Sequence, residues 1–168
     1  EEDRAYALMA QMRIAARQLK DLAPSRALTL WALMNVAAME AIVANAPGDP
    51  SCVKQLPHRL DAVAYGEALC RMEPANREYA YALVHAACSA AEAAAIRHLD
   101  SAPSSDHEYP GPIAVRMLEI AQACIDDLGM LESGDERFWM LIEKVEYSRY
   151  LLARTHGDAG GVREHLQA

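Results

Sequence analysis

The sequence predicts an all-α protein, a single-domain antiparallel bundle of five or six helices over residues 1–168. Residues 27–44 form an apolar run in which Glu40 is the one charged side chain, and the run is too long for a strand. No segment alternates apolar and polar residues over the length of a strand. The eight glycines and eight prolines fall mostly between the candidate helices.

The first two helices are predicted over residues 2–22 and 27–44. The first repeats apolar side chains every three or four residues, which indicates one packing stripe. This stripe consists of Tyr6, Met9, Met12, Ala16 and Leu19. The second helix is apolar on all sides, so it is expected at the centre of the bundle. It just reaches the length of a membrane span, but Asn35 and Glu40 favour a buried helix and no contact with a membrane.

The third and fourth helices are predicted over about 50–71 and 74–99. Pro57 is expected to break or kink the third, because proline lacks the N–H that a helix interior uses. In the fourth, small side chains share one face, which lets a neighbouring helix come close. That face consists of Ala80, Leu83, Val84, Ala87, Ala91 and Ala94. The expected neighbour is the second helix, and the same face could instead join two copies in a homodimer.

Residues 100–111 are rich in serine and proline and are predicted as a connector, which is also a weak subdomain boundary. Helices over 112–128 and 136–156 follow, with a capping box from Ser133 to Glu136 before the last. Their predicted inward residues are Ile113, Met117, Ile120, Cys124 and Leu128, and then Phe138, Ile142, Val145 and Leu152. A short tail helix is predicted over 160–167.

Charge is concentrated at the C-terminal end of the chain. The net charge is −8, and residues 101–168 carry twelve acids against six bases. Direct binding of nucleic acid is therefore disfavoured, since phosphate contacts need a basic surface. Five acids surround the turn between the last two helices, namely Asp126, Asp127, Glu132, Asp135 and Glu136. They predict either a solvated turn or a docking surface for a basic protein partner.

The four cysteines are widely spaced and form no CxxC or zinc-like pattern. They are expected as small core residues in a reducing cytoplasm. The first residues, EEDRAYALM, lack the basic and then apolar pattern of a secretory signal, so such a signal is expected to be absent or already removed.

A strip of chemically versatile residues runs along the fourth helix. Tyr81, His85, Cys88 and Glu92 are spaced by four, three and four, so they share one side of the helix. A thiol, an imidazole and a carboxylate together could bind a metal or transfer protons. All three lie on one helix, however, which favours a half-buried polar seam. No phosphate loop, GxSxG or HExxH motif is present, so no catalytic residue, metal or cofactor is predicted.

The last helix carries two carboxylates between two aromatic residues. Trp139, Glu143, Glu146 and Tyr150 share one side of it. Such a set could hold a basic side chain of a partner, with help from cation–π contact. Trp139, Glu143 and Glu146 are therefore added to the predicted partner-binding surface.

Polar residues on apolar faces are candidates for an internal pocket. Asn35 lies among Leu28, Trp31, Ala38 and Ile42, and Arg149 lies on the inward side of the last helix. A buried polar group needs hydrogen-bond partners, and Glu40 or Glu92 is expected to pair with Arg149. The predicted pocket residues are Asn35, Glu40, Tyr81, His85, Glu92 and Arg149.

Residues 147–168 resemble the last helix–turn–helix unit of a tetratricopeptide array. Leu151, Gly157, Asp158 and Leu166 fall roughly where such repeats place theirs. A stable array needs several units, and two more do not recur at the same period, so the resemblance implies no function here.

Two functions remain open from the sequence. The leading hypothesis is a non-enzymatic, bacterial-type interaction module, an adaptor or an inhibitor or immunity-type protein that covers a basic partner surface. It rests on the missing catalytic motifs and the acidic C-terminal end. The alternative is a small-molecule- or metal-binding helical bundle, either a binding protein or an enzyme, whose pocket lies near His85, Glu92 and Asn35.

Overall fold

The computed structural model describes residues 2–44, 54–100, 111–129 and 136–155. Within these ranges the chain forms six helices and no strand, and the predicted all-α bundle is confirmed. The helices are α1 (Glu2–Leu22), α2 (Ala27–Val43), α3 (Gln55–Met72), α4 (Arg77–Asp100), α5 (Gly111–Gly129) and α6 (Glu136–Thr155). No helix in the described part of the chain is both long and apolar enough to cross a membrane.

The centre of the bundle is α4, which packs against α3, α5 and α6. The prediction that the second helix is central is therefore wrong, and so is the prediction that it covers the alanine face. The side chains of Val84, Ala87 and Ala94 on that face are completely buried inside the molecule. Because alanine barely extends beyond the backbone, three helices can surround α4 at short distance. Most of this face is therefore covered within one molecule.

The helix α2 has a buried side and an exposed side, although its sequence is apolar all round. Its buried side, which packs against α1 and α3, includes Leu33, Met34 and Ala37. On the other side, Leu28 is 69% exposed and Ile42 is 61% exposed. Since the two sides are equally apolar, the sequence alone could not tell which one is covered.

The first helix, α1, packs against α2 through the predicted stripe. Met9 and Ala16 are buried, and Met12 is half-buried against Leu33 and Val36 of α2. The prediction for Tyr6 lies outside the described side chains. The guanidinium of Arg13 also donates a hydrogen bond to the carboxylate of Glu40, which links the two helices beside the stripe.

The helix α3 runs without a break through Pro57, so the predicted kink there is wrong. Pro57 lies in the first turn, where the backbone N–H has no partner within the helix and its loss costs little. The predicted start of this helix near residue 50 lies outside the described residues. Gly66, in the middle of α3, is buried between α2 and α4.

The helices α5 and α6 complete the core beside α4. Met117, Leu128, Phe138 and Val145 are buried as predicted, whereas Ile113 is exposed at the start of α5. The predicted connector, the capping-box residue Ser133, the tail helix and most of the tetratricopeptide-like segment lie outside the described residues.

Replacing Gly66 should destabilise the junction of α2, α3 and α4. A Cβ atom at residue 66 would lie 3.0 Å from Leu83 Cδ1 and 3.2 Å from Met34 Cε. We expect Gly66→Val to lower the free energy of unfolding by about 1–3 kcal/mol, because the added methyl groups overfill the core. Urea denaturation measures the change.

Ala64→Val is the matched control, because Ala64 is exposed on the same helix. It should cost only the lower helix propensity of valine, about 0.5 kcal/mol. Equal losses in the two variants would contradict close packing at Gly66.

Candidate functional site

The predicted strip on α4 faces α6 and forms part of a polar seam between the two helices. The guanidinium of Arg137 lies 4.7 Å from the centre of the Tyr81 ring. Further along the seam, Cys88 is fully buried two turns after Tyr81, while His85, one turn after Tyr81, is exposed at its edge. The strip therefore separates into a covered part and an exposed imidazole.

The buried part of the seam is organised by Ser148, which is 1% exposed. Its hydroxyl oxygen lies 2.9 Å from Glu92 Oε1 and 2.9 Å from the main-chain oxygen of Lys144. The ammonium group of Lys144 lies 3.4 Å from Glu92 Oε1. These contacts satisfy the polar groups that α4 and α6 bring into the interface, as a structural seam requires.

The described cysteines are unpaired thiols of low reactivity. Burial raises the pKa of Cys88 to about 11 and that of Cys124 to about 12, and burial also raises the pKa of Cys70. A thiol must lose its proton to act as a nucleophile or to bind a metal. Among the residues that the structure describes, no group of three His, Cys, Asp or Glu side chains is placed to hold a metal ion.

Glu40 and Arg149, two predicted pocket residues, have different partners from those expected. Glu40 pairs with Arg13 and lies 3.1 Å from Nδ1 of His58. Arg149 pairs with Glu146, one turn earlier on α6, and its Nη2 donates to Gln122 Oε1 at 2.6 Å. The expected pairing of Arg149 with Glu40 or Glu92 is thus wrong, because nearer partners satisfy all three groups.

The apolar face that holds Asn35 is exposed rather than buried. The Asn35 side chain donates a hydrogen bond of 2.8 Å to the main-chain oxygen of Trp31, one turn earlier. Asn35 therefore lies on the outside of α2, at the border of a pocket.

This pocket, the α2–α4 pocket, lies between α2 and α4 with α3 at its base and has a volume of about 250 Å³. Its apolar lining consists of Trp31, Met34, Ala38, Ile42, Ala62, Ala82 and Ala86. Its polar lining consists of Asn35, Arg59, His85 and Ser89. The structure thus brings Asn35 and His85 to one pocket, but Glu40, Tyr81, Glu92 and Arg149 do not line it. Arg59 was not predicted from the sequence. It lies on α3 and has no distinctive spacing to Asn35 on α2 or His85 on α4.

A second concave region, the α5–α6 groove, combines two adjoining pockets of about 600 and 410 Å³. Both are lined by Gln122 and Asp126, so they lie next to each other between α5 and α6. Its apolar lining consists of Val115, Leu118, Ala123, Ile125, Phe138, Ile142, Val145 and Leu152. Its acidic residues are Glu119, Asp126 and Glu146.

Hydrogen bonds cross this groove where the two pockets meet. Arg149 of α6 donates to the side-chain oxygen of Gln122, and Gln122 Nε2 donates to Asp126 Oδ1 at 2.6 Å. Glu146 holds the other side of the Arg149 guanidinium. The positions of Asp126 and Glu146 at the groove are therefore fixed by their neighbours.

The predicted partner-binding residues fall into three groups. Asp126 and Glu146 line the groove, and Asp127 is exposed next to it. Glu136, Trp139 and Glu143 are exposed on the outward face of α6, and Glu132 and Asp135 lie outside the described residues.

Two further apolar residues on the outward face of α6 were missed. Met140 and Tyr147 are both exposed, and they share this face with Glu136 and Glu143. Their helical spacing was the available signal. Apolar residues at helical spacing are usually buried, so the spacing alone does not predict that these two are exposed.

Comparison with known protein families, curated proteins and solved structures finds no match to this chain. The candidate sites are therefore described from their own geometry and chemistry.

His85 should make the folded state less stable in mild acid. The His85 ring is only partly removed from water, and this partial desolvation, assisted by Lys144 and opposed by Glu92, lowers the pKa of His85 below its ordinary value of 6.5. The unfolded chain then binds this proton more tightly, so stability falls as the pH drops from about 6.5 toward the folded-state pKa. We expect His85→Gln to lose less stability than the wild type between about pH 7 and pH 5 in urea denaturation.

Ala64→Gln controls for the substitution itself, because it introduces the same residue at an exposed position without a titratable group. It should keep the pH dependence of the wild type. If His85→Gln also keeps it, the lowered pKa of His85 is wrong.

Proposed function

We propose that the protein is a non-enzymatic interaction module that binds a basic, amphipathic helix of a partner protein in the α5–α6 groove. The observation that carries the proposal is an apolar groove bordered by carboxylates, between two neighbouring helices. Amphipathic helices bind to protein partners in this way, with the apolar side in a groove and the charged side at its rim.

The size of the groove supports a helix rather than a single side chain. Its two pockets adjoin each other along α5, from Val115 to Asp126. This is three turns of helix, so apolar side chains at successive turns of a bound helix could each contact the lining.

The charge of the groove supports a basic partner. Glu119, Asp126 and Glu146 face one cation, Arg149, and Asp127 adds a further negative charge beside them. The partner surface should therefore carry lysine or arginine around its apolar residues, since complementary charge speeds and orients association.

The outward face of α6 enlarges this surface. Trp139 is 56% exposed, and it lies on the side of α6 that continues from Glu146. Tryptophan, tyrosine and methionine are enriched at protein interfaces, and this face exposes Trp139, Met140 and Tyr147. Contact with these residues would add apolar area to the helix in the groove.

The polar seam between α4 and α6 is chemically unreactive. This supports a binding role for the protein over catalysis at the α4 strip. Cys88 keeps its proton at neutral pH, and Glu92 is held by Lys144 and Ser148. A cytoplasmic location is part of the proposal, supported by the unpaired thiols of Cys70, Cys88 and Cys124. An adaptor and an inhibitor would use the same groove, and the identity of the partner decides between them.

Charge reversal beside the groove should weaken binding of a model partner. The probe is a synthetic amphipathic helix of leucine and lysine, and fluorescence anisotropy of a labelled peptide measures its affinity. We expect the double variant Asp126→Lys and Asp127→Lys to bind it about tenfold more weakly at low salt, because attraction becomes repulsion.

The control variant is Asp21→Lys with Asp61→Lys, which changes the net charge equally at exposed sites on α1 and α3. It should keep the affinity within about twofold, since α1 and α3 contribute no residue to the lining of the groove. A scrambled peptide of the same composition should bind weakly to every variant. Equal loss in both double variants, or equal binding of the scrambled peptide, would show that only total charge matters and would contradict a groove for an amphipathic helix.

A further inference from the structure

The α2–α4 pocket contains an arginine for which the described residues offer no carboxylate. Arg59 of α3 is half-buried at the pocket lining. Its Nε and Nη2 donate to Gln55 Oε1, at 3.4 and 3.0 Å, and Gln55 itself is 3% exposed. A neutral amide thus holds the guanidinium in place without neutralising its charge.

Two other basic side chains of this region, those of Arg13 and His58, have an acidic partner, which sets Arg59 apart. The Glu40 carboxylate contacts both the Arg13 guanidinium and the imidazole of His58, the residue next to Arg59 in the sequence. Within the described part of the chain, no acid lines the α2–α4 pocket. A half-buried guanidinium that faces an acid-free pocket can accept the negative charge of a ligand in bidentate geometry.

The rest of the pocket is suited to a flat apolar group. Trp31 forms one side, and its ring is positioned by Tyr79 with 5.3 Å between ring centres. Ala38, Ala82 and Ala86 leave room between the helices because their side chains are short. The volume of about 250 Å³ lies below the usual range for drug-sized ligands, so it fits a molecule with about one or two rings.

Three neutral polar groups surround this apolar space. Asn35 and Ser89 lie on opposite walls, on α2 and α4, and His85 lies one turn before Ser89. Each can donate or accept a hydrogen bond, which would orient a ligand without adding charge.

We propose that the α2–α4 pocket binds a small organic carboxylate whose carboxyl group pairs with Arg59 and whose apolar ring lies between Trp31 and α4. This site is separate from the α5–α6 groove, because the two share no lining residue. The inference therefore stands or falls independently of the proposed interaction with a partner protein.

The test uses the two tryptophans as a built-in comparison. Benzoate, cyclohexanecarboxylate and naphthoate are titrated into ¹⁵N-labelled protein, each beside its uncharged amide, and the indole N–H signals are followed by NMR. Trp31 lines the pocket, whereas Trp139 lies on α6, and a Trp31→Phe variant assigns the two signals. We expect at least one acid to shift the Trp31 signal saturably and to bind about tenfold more tightly than its amide.

Three variants separate the role of Arg59 from effects on folding. Arg59→Gln should weaken binding of the acid about tenfold and remove its advantage over the amide, whereas Arg71→Gln, at an exposed site on the same helix, should not. Ala38→Leu should block both acid and amide by filling the pocket from its exposed rim. Circular dichroism verifies that each variant is folded. If Arg59→Gln does not fold, Ala38→Leu still tests the position of the ligand.

Three results would overturn the proposal. One is that none of the three acids shifts the Trp31 signal saturably. Another is that acid and amide bind the wild type equally, which would remove the role of the carboxylate. The last is that Ala38→Leu binds the acid as the wild type does, which would place the ligand elsewhere.

Discussion

The small volume of the side chains on α4 is the constraint on which the rest of the structure depends. Ala87, Ala91 and Ala94 bury little area each, so the core gains apolar contacts only if neighbouring helices come close. Three helices do so, and α4 becomes the axis of the bundle. On α3, the missing side chain of Gly66 serves the same purpose, because Leu83 and Met34 occupy the space beside it. Large residues at these positions would separate the helices and open the core.

The sequence predicts which segments are helical better than it predicts how they are arranged. The helix over residues 2–22 was predicted with the bounds that the structure shows, because its stripe repeats at helical spacing and Pro24 follows it. The central position was assigned to α2 because it is the most apolar segment. Hydrophobicity measures the gain from burial per side chain, whereas the central position depends on how many helices can approach. Short side chains, and not the most apolar ones, decide that number here.

The candidate sites depend on contacts between helices, which a single sequence does not show. Asn35 and His85 were both selected from the sequence, but for different reasons, and the link between them is Arg59 on a third helix. The acidic residues near Asp126 were predicted from composition alone. The apolar lining that would make them part of a groove comes from α5 and α6 together. The ion-pair partners of individual side chains are the least predictable feature. Arg149, for example, pairs with Glu146, one turn away on its own helix.

The attachment of α1 through one stripe has a consequence for the behaviour of the whole chain. This helix packs against α2, so little of the bundle would have to rearrange if α1 were released. Its release would expose Leu33 and Val36 on the side of α2 opposite Leu28 and Ile42. A helix without a polar side would then face water, which favours self-association of partly unfolded molecules. The stripe of α1 is therefore a cover for one apolar side of α2, and opening of α1 would favour aggregation.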